Sequence, residues 1–480
     1  MAELSVTKNT TYLTASYVIQ KLLSFVYFII IARAIGVESL GKYTFAMSFT
    51  TMFAVLVDLG FTSALIRESA KFKEKAEKFL SSVLFVKIIL ALATYGLVIL
   101  FVNVLDYPSI TKNLVYISGI VMAIDQITAS FWGVFRGARN LKVESISIVI
   151  NQIIILAAGF VILFLKLPLV YLMLPFVFGS VFSFLFASVN LRRTLRLKIS
   201  SRFDWQITKF LFGISFWFAL IAVFSRIYGN IDTVMLSKLI GDKAVGWYSV
   251  AMKIPFALQF IPAALAAAIF PAFSRHFVND QFQLKSTFDR TMKFLTILVV
   301  PISVGIAFLA RPIILTFYGL EYAPSILPLQ ILMGGLIFVF LNFPLGSLLN
   351  GCDRQKQNAI LVGATMAFNI VLNIFLIPKY SFVGAGAAFL CSHAFLFVSS
   401  LIIANKIIPY SKRNLIKTFF KTVASATAMG AVIFFSQNHL HFAFLIIIGA
   451  IVYAAAMFLI RGLTLEDVKY FKERIFHKQT

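Results

Sequence analysis

Charged residues are scarce in this chain of 480 residues, since Asp, Glu, Lys and Arg together make up only 13% of it. A water-soluble protein of this length needs many more charged side chains to cover its surface, so a soluble fold is excluded. Apolar residues make up 60% of the chain. A helix of about 20 mainly apolar residues crosses a bilayer, so we expect an all-α polytopic membrane protein with a dozen or more spans.

Residues that carry covalent chemistry are also few. Cys352 and Cys391 are the only cysteines, and their spacing is typical of neither a metal site nor a disulfide framework. The sequence contains no Walker loop, no cluster of metal ligands and no nucleophile constellation. These absences argue against an enzyme, and we expect no catalytic residue, no metal and no cofactor.

Acidic residues are outnumbered by basic ones, 19 to 43, which gives a formal net charge of +24. A nucleic-acid-binding protein would concentrate this excess in one basic patch on a folded domain. Here the basic residues are spread over the connections between apolar runs. We therefore expect the lipid bilayer, and no nucleic acid, as a partner.

The distribution of Lys and Arg predicts how the chain is oriented. Apolar runs indicate about fourteen spans, the first beginning near Tyr12 and the last near Phe442. The two termini and the even-numbered connections hold 31 Lys and Arg, whereas the odd-numbered connections hold 8. Because cytoplasmic connections are enriched in positive charge, both termini are predicted to lie in the cytoplasm and the protein in the cell membrane.

The sequence contains an internal repeat. Residues 32–47 (ARAIGVESLGKYTFAM) match residues 237–252 (SKLIGDKAVGWYSVAM) at six of sixteen positions with a constant offset of 205. A weaker echo relates Arg136-Gly137 to Asn350-Gly351 at an offset of 214. A repeat of six spans, an even number, enters the membrane twice from the same side, so the two copies are related by an axis along the membrane normal.

This repeat predicts three regions: an N-terminal six-helix lobe (1–206), a C-terminal six-helix lobe (207–408), and two added spans with a basic cytoplasmic tail (409–480). Two lobes around a central axis are typical of transporters that expose one cavity alternately to each side. The alternative is that duplication only produced a larger helical bundle.

Seven Asp, Lys and Arg residues fall well inside predicted spans, where each is costly unless it faces protein or a wet cavity. They are Lys21, Asp58, Lys87, Asp125, Arg226, Asp232 and Lys253. The offset of 205 relates Lys21 to Arg226, so two cations occupy equivalent positions in the two repeats. Arg offers a planar donor fork suited to phosphate and Lys a point charge.

The predicted substrate-binding residues are these two cations, Lys253, and two amides on the same polar stripes, Gln20 on span 1 and Asn230 on span 7. The acids Asp58, Asp125 and Asp232 are interpreted either as sites for a coupling proton or sodium ion or as charge partners of the basic residues. The alternative for all these groups is structural pairing, for example Lys21 with Asp58 or Arg226 with Asp232.

The sequence resembles the polysaccharide and lipid-linked oligosaccharide flippases (Wzx-like) of the multidrug/oligosaccharidyl-lipid/polysaccharide exporter superfamily. The segments that carry the resemblance are ARAIGVESLGKYTFAM (32–47), DLGFTSALIRESAK (58–71), RIYGNIDTVMLSKLIG (226–241) and VGWYSVAMKI (245–254). The resemblance implies a two-lobed transporter of fourteen helices that moves a polyprenyl-diphosphate-linked glycan to the outer leaflet. It also implies a cationic cavity for the diphosphate, for which Lys21, Arg226 and Lys253 are the candidates here.

Two other functions stay open at this point. An ion-coupled multidrug cation exporter of the same superfamily would favour buried carboxylates and aromatic faces over an excess of Lys and Arg. A membrane glycan polymerase or ligase would need a large outward loop, whereas the predicted outward connections are short.

Overall fold

The computed structural model of the protein describes residues 6–197, 203–437 and 439–463, without the side chains of residues 6–10, 214 and 215. Most of the predicted basic tail, residues 464–480, lies outside the described residues. The described chain is helical and contains no β-strand, which confirms the all-α fold class. Its helices are α1 (Val6–Asp58), α2 (Phe61–Lys71), α3 (Ala76–Val104), α4 (Ser109–Gly137), α5 (Leu141–Phe164), α6 (Leu174–Thr194), α7 (Trp205–Tyr228), α8 (Ile231–Leu239), α9 (Asp242–Leu258), α10 (Phe260–Asn279), α11 (Gln281–Phe308), α12 (Ala310–Phe317), α13 (Ile326–Gly351), α14 (Gln355–Ile407), α15 (Lys412–Ser436) and α16 (Phe442–Leu459).

Twelve helical segments of the described chain are long and apolar enough to cross a membrane. Two of them, Thr11–Asp58 with 48 residues and Gln355–Ile407 with 53, exceed the roughly 20 residues that one crossing needs. Each is interrupted by one residue with non-helical backbone angles, Gly36 in α1 and Ser381 in α14. Two crossings in each segment would bring the number to fourteen, as the sequence predicts.

The first of two compact units comprises residues 1–249 and 362–382, of which 6–197, 203–249 and 362–382 are described. Within this unit, buried apolar side chains of α2, α3, α4, α6 and α7 form a common core. Leu65, Leu80, Phe131, Leu191 and Leu211 are each at most 1% exposed in that core. The core brings together helices that are separated by more than a hundred residues along the chain.

The repeated segments contact each other inside the first unit, and they do so reciprocally. A Cβ placed on Gly41 would collide with the carbonyl oxygen of Asp242, and a Cβ placed on Gly246 would collide with the carbonyl oxygen of Val37. The offset of 205 relates Val37 to Asp242 and Gly41 to Gly246, so the two contacts are equivalent. Small residues of this kind let two membrane helices approach closely enough for backbone contact.

A hydrogen bond extends the same contact. The hydroxyl of Ser249 donates to the hydroxyl of Thr44 at 3.0 Å, and these residues are also exactly 205 positions apart. A direct bond between two equivalent residues requires that they lie on or beside the local symmetry axis. Both copies also have a glycine with a positive φ at the equivalent position, Gly36 with 75° and Gly241 with 115°, which a residue with a side chain rarely adopts. We call residues 37–44 and 242–249 the repeat crossing.

The weaker echo of the sequence is also visible in the packing. A Cβ on Gly137 would lie 3.0 Å from the carbonyl oxygen of Ile66 in α2, and one on Gly351 would lie 3.3 Å from the Cβ of Phe273 in α10. Each glycine is near the end of its helix and contacts the helix that follows its own copy of the repeated segment. The echo therefore marks equivalent helix contacts in the two copies.

The second unit comprises residues 250–361 and 383–480, of which 250–361, 383–437 and 439–463 are described. Within it α11 packs against α13 and α15, and α15 packs against α16. The hydroxyl of Tyr453 in α16 donates to the carbonyl oxygen of Ile297 in α11 at 2.8 Å. The two spans predicted as an addition to the repeats are thus held by α11. The lobe boundaries at 206 and 408 stay predictions.

We predict that Gly41→Ala and Gly246→Ala each lower the melting temperature of the detergent-purified protein. Overpacking of a close contact costs about 1–3 kcal/mol, and here the new methyl group meets backbone that cannot turn aside. Gly96→Ala is the control, because a Cβ at this position in α3 meets nothing within 4 Å. That change should leave the melting temperature unchanged or raise it slightly, since Ala is the better helix former. Equal effects of all three changes would contradict the repeat crossing.

Candidate functional site

A buried ion pair joins α1 and α3. The ammonium nitrogen Nζ of Lys87 lies 2.5 Å from Oδ1 of Asp58, and the Lys87 side chain is completely buried. The same nitrogen donates to the Thr62 hydroxyl at 2.8 Å and to the carbonyl oxygen of Gln126 at 3.1 Å. A buried cation is stable when it is paired and hydrogen-bonded in this way.

The carboxylate of Asp58 also accepts hydrogen bonds from the first turn of α2. It accepts a hydrogen bond from the Thr62 hydroxyl and one from the Thr62 backbone N–H, the latter at 3.2 Å. Of the two roles predicted for Asp58, the geometry supports that of charge partner, with Lys87 as the partner. Together these bonds tie the end of α1 to α2, α3 and α4.

A second buried carboxylate, that of Asp232 in α8, has neutral partners. It accepts hydrogen bonds from the Tyr248 hydroxyl at 2.9 Å and from the side-chain amide of Asn373 at 2.6 Å. The same amide of Asn373 donates to the side chain of Asn369 at 3.0 Å. Asp232 is 4% exposed and both asparagines are fully buried. This polar cluster of Asp232, Tyr248, Asn369 and Asn373 lies within the first unit.

The equivalent place in the first repeat is filled differently. The offset of 205 relates Asp232 to Tyr27, and the offset of 214 relates Asn373 to Gly159. A Cβ on Gly159 would collide with the hydroxyl of Tyr27, so these two residues contact each other as their counterparts do. One copy of the repeat therefore places a carboxylate and an amide where the other places an aromatic ring against a glycine.

The third predicted acid, Asp125, lies on α4 and has an exposed side chain. It accepts a hydrogen bond from the Ser180 hydroxyl of α6 at 2.6 Å. Next to Ser180, a Cβ on Gly179 would collide with the amide oxygen of Asn151, which shows that α5 and α6 approach closely here. The three acids thus have three different environments.

The residues predicted to bind substrate lie on three helices. On α1, the side chains of Gln20 and Lys21 are half-buried. On α7, the side chain of Arg226 is exposed and its carbonyl oxygen accepts a hydrogen bond from the amide of Asn230 at 2.8 Å. Lys253 is half-buried on α9 and belongs to the second unit. Their joint action on one anion stays a prediction.

One polar network escaped the sequence analysis. Arg136 at the end of α4 makes a two-pronged ion pair with Glu144 of α5, through Nε at 2.9 Å and Nη2 at 2.5 Å. The guanidinium also donates to the hydroxyl of Tyr17 in α1 at 3.2 Å. An Arg in the last turn of one helix followed by a Glu in the first turn of the next was the available signal. Through its hydrogen bond to Tyr17, the network holds α1 at a position one turn before Lys21.

In the part of the chain that the structure describes, no group of three or more His, Cys, Asp and Glu side chains is placed to hold a metal ion. Inside the helices, Asp58 and Lys87 thus form an ion pair, Asp232 is hydrogen-bonded to uncharged groups, and Asp125 is exposed. The three predicted substrate-binding cations lie on α1, α7 and α9. Such groups can bind charged substrates and ions.

Comparison with known proteins places these features in a family. The model of the family described as "Polysaccharide biosynthesis protein" matches residues 6–277, more than half of the chain. The chain belongs to this family. The model of a second family, MatE, matches residues 209–375.

Two curated relatives span most of the chain. A Shigella flexneri protein named as an O-antigen transporter is 22% identical over 394 residues, which cover 80% of this chain and 93% of that protein. The Staphylococcus aureus capsular polysaccharide biosynthesis protein CapF is also 22% identical, over 82% of this chain and 97% of its own. A solved structure of the lipid II flippase MurJ in an inward closed conformation matches with a TM-score of 0.75 at 19% identity, covering 97% of this chain and 99% of MurJ.

These matches confirm the resemblance to the exporter superfamily and the fold that it implies. The chain is a multi-pass membrane protein of a family of transporters and flippases, not of enzymes.

We predict that Lys87→Met and Asp58→Asn each destabilise the protein strongly, because breaking a buried pair leaves one group uncompensated, at a cost of about 3–5 kcal/mol. The double variant should lose much less stability than the two single losses added together. Thermal unfolding of the detergent-purified protein measures all three. Lys112→Met is the control, since Lys112 pairs at 3.6 Å with Asp106, whose side chain is 93% exposed. Additive losses in the double variant would show that Lys87 and Asp58 act independently.

Proposed function

We propose that the protein translocates a polyprenyl-diphosphate-linked oligosaccharide from the cytoplasmic to the outer leaflet of the cell membrane. A diphosphate joined to a glycan cannot cross hydrocarbon unaided, because its charges and hydroxyls would lose their water. A protein that moves this cargo needs a polar path across the membrane, a weak anion-binding site and a gap through which the lipid tail stays in the bilayer. No covalent step is required.

The observation that carries this proposal is the location and exposure of the Arg226 side chain. It lies on α7 within a candidate membrane span, its side chain is exposed, and among the described residues it forms no ion pair. An arginine kept charged inside a membrane segment is costly unless it faces water or binds an anion. The fork of its guanidinium suits a diphosphate, and its repeat equivalent is a second cation, Lys21.

The relatives support this cargo class by their names. They include an O-antigen transporter, a capsular polysaccharide biosynthesis protein and a lipid II flippase structure. The positive-charge count of the connections supports cytoplasmic termini, and hence a cargo that is loaded from the cytoplasm.

Alternating access supplies the mechanism. The repeat crossing joins the two copies through backbone contacts and the Thr44–Ser249 hydrogen bond, at the ends of spans that the charge count assigns to the outer side. Among the described residues no salt bridge joins residues 37–44 to residues 242–249, so this contact can separate and re-form without breaking an ion pair. Its opening would release the headgroup outward.

We predict that Arg226→Ala abolishes translocation and that Lys21→Ala and Lys253→Ala reduce it at least about tenfold, the effect of losing one charge-assisted hydrogen bond to phosphate. The assay is reconstitution into liposomes with a fluorescent polyprenyl-diphosphate glycan whose exposure is scored with an externally added reagent. Lys142→Ala is the control, because Lys142 is an exposed residue in the first turn of α5. Wild-type translocation by both Arg226→Ala and Lys21→Ala would refute the diphosphate site.

The MatE match over residues 209–375 favours a second candidate, an organic-cation exporter coupled to an ion gradient. The same liposomes distinguish it when they are loaded with a fluorescent organic cation. Efflux of the cation without translocation of the glycan lipid would favour the exporter, and the opposite result favours the flippase.

We further propose that Asp232 is the site at which a coupling proton or sodium ion acts. Its carboxylate has hydroxyl and amide partners, and oxygen atoms of this kind are ligands for small hard cations. The replacement of Asp232 by Tyr27 in the other copy supports a function beyond packing, since the repeat packs without a carboxylate there. Asp58, by contrast, is assigned to the ion pair with Lys87, and Asp125 is the weaker ion-site candidate.

We predict that Asp232→Asn removes the dependence of translocation on an imposed proton or sodium gradient, because Asn keeps the shape of Asp but has no charge to exchange. The measurement compares translocation rates with each gradient imposed separately. Asp353→Asn, in an exposed position after α13, should behave as wild type. A gradient response that is unchanged in Asp232→Asn would rule out this assignment and leave the flippase proposal intact.

A further inference from the structure

A groove lies where α14 ends and α15 begins, in the second unit. Its volume is about 330 Å³, and it is lined by Val398, Leu401, Ile402, Asn405, Tyr410 and Lys412. The first four lining residues follow one another at steps of three, one and three positions, so they share one face of α14. The groove therefore has an apolar wall on a helix and a polar end on the connection.

The connection that forms the polar end is held in place by two contacts with α11. The backbone N–H of Ser411 donates to the carboxylate of Asp289 at 3.2 Å. The ring of Tyr410 packs against the ring of Phe288 with a centroid distance of 5.7 Å, and Phe288 is fully buried. Because Tyr410 and Ser411 are anchored, the groove exists before any ligand enters it.

The groove has a polar end and an apolar wall, which match the headgroup and the acyl chain of a phospholipid. The connection 408–411 joins two candidate spans, Gln355–Ile407 and Lys412–Ser436, so it lies at the level of the lipid headgroups. From there the apolar wall extends back to Val398, about 14 Å along the helix axis at about 1.5 Å per residue. Val398 and Ile402 are 54% and 60% exposed, so an acyl chain can reach them.

The charge around the polar end is mainly positive. Lys406, Lys412, Arg413 and Lys417 are all exposed, and the sequence contains no Asp or Glu from residue 354 to residue 465. The acid nearest to this connection, Asp289, accepts the hydrogen bond of Ser411. A basic cluster at the membrane surface attracts anionic lipids by about 1 kcal/mol for each Lys or Arg.

We propose that this groove binds one anionic phospholipid of the leaflet to which residues 408–411 belong. The phosphate group lies at Lys412 and Asn405, and one acyl chain covers Val398 and Ile402. The site is distinct from the proposed substrate residues Lys21, Arg226 and Lys253, so it goes beyond the proposed function.

The test measures binding of radiolabelled phosphatidylglycerol and phosphatidylcholine from mixed detergent micelles to the full-length protein immobilised on beads. The wild type should retain one phosphatidylglycerol with an affinity about thirtyfold higher than that for phosphatidylcholine, because two cations next to the phosphate contribute about 1 kcal/mol each and about 1.4 kcal/mol is a factor of ten. In the variant Lys412→Gln with Arg413→Gln this preference should fall to less than about twofold. Ile402→Asn should weaken the binding of both lipids, because it interrupts the apolar wall.

Lys379→Gln is the matched control, because Lys379 is an exposed cation on α14 before the bend at Ser381, and it should keep the full preference. Equal affinities of the wild type for the two lipids, or an unchanged preference in the double variant, would overturn the proposal. A polyprenyl diphosphate added as competitor tests whether the groove binds the proposed cargo instead of a phospholipid. If it displaces phosphatidylglycerol from the wild type at equal concentration, the groove belongs to the cargo, and the proposed phospholipid site is wrong.

Discussion

The cost of placing an ionisable group within a membrane helix determines how this protein is built. Lys87 is fully buried, and the structure surrounds it with the carboxylate of Asp58, the hydroxyl of Thr62 and a backbone carbonyl. Asp232 is nearly as buried, but it is satisfied by a tyrosine and an asparagine. The first arrangement cancels a charge and fixes four helices. The second satisfies a carboxylate with a hydroxyl and an amide, which carry no charge.

Gene duplication provides the frame in which these groups are placed, and the copies have since diverged in their polar residues. The backbone features of the repeat are retained, namely the turn glycines Gly36 and Gly241 and the crossing glycines Gly41 and Gly246. The side chains are not, because Tyr27 stands opposite Gly159 where the other copy has Asp232 and Asn373. The backbone of the repeat is therefore retained, whereas its polar side chains differ, so the contact between a carboxylate and an amide occurs in one copy only.

Several features could be predicted from single residues and their spacing. The all-helical membrane fold follows from apolar length, and the repeat follows from identities at a constant offset. The partner of Asp58 could not be predicted, because Lys21 and Lys87 are both within spans and only the packing of α3 against α1 selects Lys87. The Arg136–Glu144 pair had a local signal that the sequence analysis missed, whereas Tyr17 could not be predicted as its third member because it is 119 positions from Arg136.

The sequence by itself determined that the chain is an all-helical membrane protein built from two copies of one unit, because apolar length and repetition are properties of the chain read in order. Only the tertiary structure decided that Asp58 pairs with Lys87 and that Asp232 is bonded to Tyr248 and Asn373, because these contacts join helices far apart in the chain. Hydrocarbon offers a charged side chain no solvent to replace a missing partner, so the identity of the neighbouring helix decides whether the same residue type serves packing or transport.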